Sequence, residues 1–96
     1  MSENTPFKFR LYIADDAQNG AQARFNLISL CRTYLPEQHE IEIIDVLVEP
    51  RRALTDRVFL TPTLLLLSPP PERRIVGTLS QTEQVLLMLG LETHAK

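Results

Sequence analysis

From Phe7 to Ile13 the chain alternates, with Phe7, Phe9, Leu11 and Ile13 on one side and Lys8, Arg10 and Tyr12 on the other. A period of two, rich in aromatic and β-branched residues, predicts a strand with one well-buried face. The turn DDAQNG follows and offers Asp16 or Asn19 as a helix N-cap. From Ala21 to Leu35 the period changes: Phe25, Leu27, Ile28, Leu30, Cys31, Tyr34 and Leu35 form a broad helical stripe, which Pro36 ends. EIEIIDVLV predicts a second strand from Ile41 to Val46, apolar enough to be buried on both faces. Strand, helix and strand in close succession predict a right-handed unit with parallel strands.

In EPRRALTDRVF, Pro50 suits the first position of a short helix carrying Ala53, Leu54 and Val58 at helical spacing. TPTLLLL predicts a strand, SPPPER a turn, and RIVG a strand returning antiparallel. SQTE matches a capping box, with Ser80 as N-cap and Glu83 at the third helical position, opening a last helix that ends near Gly90. The order read this way is βαβαββα, an α/β domain. Leucine forms helices readily yet is tolerated in strands, so TLLLL and VLLMLGL carry weak local preference and leave two arrangements open.

Composition narrows the class. The 96 residues suffice for one domain, 1–96, with 1–6 expected as a flexible N-terminus and 92–96 as a short C-terminal tail. Ten Lys and Arg against twelve Asp and Glu give a net charge of −2, which does not point to nucleic acid. The start MSENTPFKFR has no apolar core of a signal peptide, and no apolar run approaches membrane-spanning length. A single cysteine, Cys31, has no internal disulfide partner, which fits a reducing cytoplasm.

Catalytic and ligand chemistry is sparse. With three glycines and no Gly-Lys-Ser/Thr, there is no phosphate-binding loop, and His39 and His94 lack further metal ligands at useful spacing. No cofactor is expected. Cys31 reads first as a small core hydrophobe, with a regulatory thiol as the alternative. Pro69, Pro70 and Pro71 make a stiff segment without backbone donors, followed at once by Arg73 and Arg74. That stretch is either a rigid surface turn or an edge that docks on acidic groups of a partner. Lys8, Arg10 and Tyr12 share the less apolar face of the first strand, the face open to a subunit or partner.

Thr61–Leu64, reading TPTL, and Pro69–Ser80, reading PPPERRIVGTLS, together with LYIA at Leu11–Ala14 and IDVL at Ile44–Leu47, resemble the KaiB family. The resemblance runs from about Phe7 to Leu91. It implies a thioredoxin-like fold in the partner-bound state, in which Pro62 stands where such proteins hold a cis proline. It also implies a second arrangement, βαββααβ, in the isolated oligomer, a homotetramer or homodimer, with the C-terminal half rearranged. Pro62, Pro69, Pro70, Pro71, Gly77, Met88 and Gly90 are then candidate structural or switch positions. Met88 and Gly90 stand where clock members carry Gly and Asp, and the acidic tail of those members is missing after LETHAK.

The function implied is that of a non-enzymatic cytoplasmic regulator. It would dock on a KaiC-like hexameric ATPase and autokinase, modulating its phosphorylation cycle or partner access in a clock-like or stress-adaptation system. Lys8, Arg10, Tyr12, Arg73 and Arg74 are the partner-binding candidates; neither nucleic acid nor membrane is expected as a partner. The alternative is a thioredoxin-like stress- or redox-linked protein acting without KaiC, against which stands the missing Cys-x-x-Cys. A third reading, a free relative of the KaiB-like sensor domain of certain histidine kinases, fits PPPERRIVG less closely.

Overall fold

The computed structural model describes residues 6–14 and 17–91. Its elements are β1 (Phe7–Ile13), α1 (Gln18–Tyr34), β2 (His39–Asp45), α2 (Pro50–Thr55), β3 (Thr63–Ser68), β4 (Arg73–Val76) and α3 (Thr82–Met88). This is the βαβαββα order expected from the pattern. The four strands lie in the order β2-β1-β3-β4, with β1 parallel to β2 and antiparallel to β3, and β3 antiparallel to β4.

The leucine run sets the architecture. Leu64, Leu65 and Leu66 are all buried because β3 lies inside the sheet and alternates between two cores. Leu64 and Leu66 join Phe9, Leu11 and Ile13 of β1 beneath α1 and α3, which contribute Ala23, Leu27, Leu30, Cys31, Val85 and Leu86. Leu65 faces the other way and meets Tyr12, Ile44, Ala53 and Val58 under α2. A strand without a polar face needs cover on both sides. At Gly20, α1 comes so close to β1 that a Cβ would stand 3.0 Å from Ile13 Cβ.

Several local expectations are corrected. The helix expected from Ala21 starts at Gln18 with Ala17 at the N-cap and no side-chain cap; Asn19 is inside the first turn, and Asp16 lies outside the described residues. The capping box at Ser80 does not form. Leu79 adopts a left-handed backbone (φ 64°) and turns its side chain into the core, so the helix begins later, with Gln81 at the N-cap. Tertiary burial of Leu79 overrides a local signal worth about 1 kcal/mol. Only Ile44 of β2 is fully buried, under α2; Ile41 and Ile43 on the opposite face are half-buried because β2 is an edge strand.

The last helix stops near Gly90 as expected. Gly90 N–H donates to Leu87 O and Leu91 N–H to Leu86 O, at 3.1 and 2.8 Å, with Gly90 at φ 79°. This two-bond closure satisfies the helix's last carbonyls and requires the left-handed conformation that glycine adopts at least cost. The end of α2 is closed in the same way, Arg57 N–H to Leu54 O and Val58 N–H to Ala53 O, but with Arg57 in the left-handed position at φ 58°.

Leu27 is fully buried, whereas Phe25 on the same helix is 70% exposed. Leu27→Ala should lower unfolding free energy by about 2–5 kcal/mol and Phe25→Ala by less than about 1 kcal/mol, as read from urea unfolding.

A candidate docking surface at one end of the sheet

Side chains that the sequence marks as surface cations are largely engaged within the molecule. Arg10 Nε donates to Glu42 of β2 at 2.9 Å, and its Nη1 to Asp56 at the end of α2, also at 2.9 Å. The Tyr12 hydroxyl donates to the same Asp56 carboxylate at 2.5 Å and lies 3.0 Å from Arg52 O. With one proton to give, it serves the charged acceptor, where a hydrogen bond is stronger. Arg52 closes the loop by pairing with Glu42 at 2.8 Å and Glu49 at 3.4 Å.

The paired arginines of β4 point to opposite faces of the sheet, and each meets the carboxyl end of a helix on its own side. Arg73 Nη1 donates to Met88 O, the last residue of α3, at 2.6 Å. Arg74 Nη2 and Nη1 donate to Asp56 O and Arg57 O, just past α2, at 2.6 and 2.8 Å. Cations are favoured there by the unsatisfied carbonyls and the helix dipole.

These contacts shift the ionisable groups. Burial opposes charge on Asp56, but the Tyr12 and Arg10 hydrogen bonds outweigh it and hold the carboxyl below its usual range. Glu42 is held low chiefly by its Arg10 bond, against some burial, with Arg52 adding to it. Tyr12 is pushed up to about 12 by burial and then by the hydrogen bond to Asp56. Burial alone pushes the Cys31 thiol up to about 12. A thiol this buried and this hard to ionise is a core side chain. His39 Nδ1 lies 2.7 Å from Leu35 O, and no group of three potential metal ligands gathers among the described residues.

Of the sequence candidates, Tyr12 is fully buried, Arg10 half-buried, and Lys8 exposed near the far end of β1. Pro62 is buried, follows a cis peptide bond and accepts a hydrogen bond from Gly77 N–H at 2.9 Å. Gly77 has φ 125° and open space where a Cβ would point. Pro69 is half-buried and Pro70 and Pro71 are exposed, with cis bonds at Ser68–Pro69 and Pro70–Pro71. Met88 is 42% exposed beside a groove of about 180 Å³ between β4 and α3. The structure does not gather these positions into one surface.

What it gathers instead is a set the motifs did not mark. The register pairs Ile13 with Asp45, Tyr12 with Thr63, and Thr63 with Val76, so β1 and β2 finish where β3 begins and β4 ends. The loops at that end, with α2 between them, expose Leu47, Val48, Leu54, Phe59 and Leu60, and Val76 lies beside them on β4. Each is more than half exposed, Phe59 reaching 76%. Scattered surface leucines need no explanation, but six of the ten exposed large apolar side chains among the described residues gather at this end, which makes it a candidate interaction surface. The available signal was DVLVEP and RVFLTP, apolar residues lying just outside periodic elements.

Because Asp56 and Glu42 are more acidic folded than unfolded, their contribution is present above the ordinary carboxylate range near 4 and lost as pH falls below it. Stability should therefore fall on acidification through that window, less steeply in Asp56→Asn. Tyr12→Phe should cost about 1–2 kcal/mol at pH 7, measured by chemical denaturation. Native Cys31 should resist thiol labelling at pH 8 and react fully in denaturant; fast native labelling would contradict its burial.

The family model described as "KaiB domain" matches residues 10–91. Circadian clock protein KaiB3 of Synechocystis sp. is 44% identical over 82 residues, covering 85% of this chain and 80% of that protein. Circadian clock oscillator protein KaiB of Synechococcus sp. is 37% identical over 91 residues, covering 95% and 83%. Among solved structures, mitochondrial thioredoxin 3 of Saccharomyces cerevisiae superposes with TM-score 0.72 at 18% identity, covering 91% of this chain and 80% of that one. The N-terminal domain of Synechococcus elongatus SasA gives 0.68 at 18% identity, covering 100% and 94%. The fold is thioredoxin-like, and the chain belongs to the KaiB family.

Proposed function

We propose that this protein is a non-enzymatic regulator that docks on a KaiC-like hexameric ATPase, using the apolar end of its sheet. Docking would alter the ring's phosphorylation cycle or its access to other partners, in a clock-like or stress-adaptation system. The observation that carries the reading is the exposed set Leu47, Val48, Leu54, Phe59, Leu60 and Val76. The KaiC-like ring is the partner that the resemblance to the KaiB family implies, and a clock-related role is supported by the relatives' names as circadian clock proteins.

The setting proposed is the cytoplasm; no helix among the described residues is long and apolar enough to cross a membrane. Self-association into a dimer or tetramer, with the C-terminal half rearranged, is proposed for the protein without its ring. Exposed apolar surface favours such association, and a ring that binds only the thioredoxin-like arrangement would draw the population toward it.

The test is size-exclusion chromatography with light scattering, with and without the same organism's KaiC-like protein and ATP over hours. The wild type should shift into a ring complex, and Phe59→Glu should weaken it at least about tenfold, as expected for a buried aromatic anchor. A Lys8→Glu control, at the far end of the sheet, should bind as wild type. A protein that never joins the ring would refute the reading.

A further inference from the structure

The apolar end of the sheet is built on a weak foundation. Helix α2 has six residues, too short to hold its shape alone, and Ala53 is its only buried side chain. Val58 just beyond it is the other apolar anchor; together they bury little compared with α1 or α3. Polar contacts must therefore decide where this helix sits.

They converge on Asp56. Its carboxylate accepts from Arg10 and Tyr12 of β1, and its carbonyl accepts from Arg74 of β4. One residue is thus tied to two strands lying on either side of β3. The other charged groups around it are Glu42 of β2, reached through Arg10, and Arg51 and Arg52 of α2, of which Arg52 pairs with Glu42 and Glu49; β3 brings Leu65 beneath, with Leu67 packed alongside.

The position makes this choice of residue informative. Asp56 is the C-cap of α2, the end at which the helix dipole disfavours negative charge. An aspartate serves the helix poorly there, so its value lies in the contacts to the sheet. Arg57 then takes the left-handed conformation, Val58 turns inward, and Phe59 and Leu60 emerge exposed. The path from the anchored carboxylate to the exposed aromatic is three residues long.

We propose that Asp56 is a positioning residue for the docking surface: by tying the end of α2 to β1 and β4, it sets the pose of Leu54, Phe59 and Leu60. The inference rests on the docking reading above. It adds a residue that touches no partner yet controls how well the surface fits one, and it makes the fit sensitive to acid. Neutralising the carboxylate removes the acceptor charge shared by Arg10 and Tyr12 and loosens the end of the helix from β1, while the Arg74 bonds to the Asp56 and Arg57 carbonyls remain.

Two measurements on the full chain decide it. Amide exchange followed by NMR, corrected for intrinsic rates, reads the local pose in the free protein. Asp56→Asn should lower protection of the backbone at 53–60 at least about tenfold while β1, α1 and β3 keep theirs. Tyr12→Phe, which leaves the Arg10 pair intact, should give a smaller loss at the same amides and guards against a variant that simply unfolds. As pH falls below the carboxylate range, wild-type protection at 53–60 should approach that of Asp56→Asn, and Asp56→Glu should restore part of it at neutral pH. Equal protection at 53–60 in wild type and Asp56→Asn would overturn the proposal.

The second measurement is affinity for the KaiC-like ring with ATP. Asp56→Asn should bind about tenfold more weakly than wild type. Wild-type affinity in Asp56→Asn, together with loss of binding in Phe59→Glu, would overturn the positioning role and leave docking intact. If neither wild type nor Phe59→Glu binds the ring, the docking reading falls, and exchange at 53–60 alone decides whether Asp56 fixes this end of the molecule.

Discussion

The burial of β3 on both faces is the constraint on which the rest of the structure depends. Leu64, Leu65 and Leu66 leave the strand no polar side, so it must lie inside the sheet and the sheet must be covered above and below. On one face α1 and α3 supply a deep aliphatic layer that includes Leu27 and Leu86. On the other face only α2 is available, and six residues cannot cover four strands. Tyr12 resolves part of the deficit: it fills space beneath α2 as a hydrophobic ring and turns its hydroxyl into a hydrogen bond with Asp56. The two faces of the sheet are consequently held differently, by deep apolar packing on one and by a smaller apolar cluster bound in by a charged network on the other.

That division explains why the arginines are not a surface in the ordinary sense. Arg10, Arg52, Arg73 and Arg74 each donate to a carboxylate or to a helix-terminal carbonyl within the chain. A partner seeking those cations would have to compete with contacts that order α2 and α3. The exposed residues Leu47, Val48, Leu54, Phe59 and Leu60 carry no such obligation. Burying a side chain the size of Phe59 is worth about 2–3 kcal/mol, whereas an exposed ion pair contributes little, so in the docking proposed above the apolar end would carry the association energy and charge would shape it.

Much of the architecture was legible in the sequence because hydrophobic period and burial agree there. The alternation in FKFRLYI, the stripe from Phe25 to Leu35 and the leucine run each match an element. Most of the misses are residues whose role is set by tertiary packing and not by the local pattern. Ser80 lost its capping role to the burial of Leu79. Tyr12 read as a face-exposed polar residue, yet the crossing of α2 buries it and gives its hydroxyl an acceptor 44 positions away. Asp56 carried no signal, since an aspartate just after a short helix looks like any solvated turn. Leu47, Phe59 and Leu60 were passed over because periodicity finds elements, and these residues lie between them.

The C-terminal portion differs from the rest in how it is attached. Residues from Pro69 onward are joined to the first half through the β3–β4 ladder, the Arg74 clamp, the Asn26 to Thr78 O bond and the burial of Leu79, Val85, Leu86 and Leu89. Most of that attachment is aliphatic, and aliphatic contacts are indifferent to whether the chain delivering them is strand or helix. What commits this portion to its present form is backbone geometry: Gly90 closing α3, Gly77 at a φ few other residues tolerate, and Arg73 capping Met88. A second arrangement of the same residues would have to surrender those few directional bonds and re-bury the leucines elsewhere. The β3–β4 ladder and these caps are therefore the directional bonds that hold this portion in its strand-and-helix form, around an apolar burial that by itself has no preferred backbone.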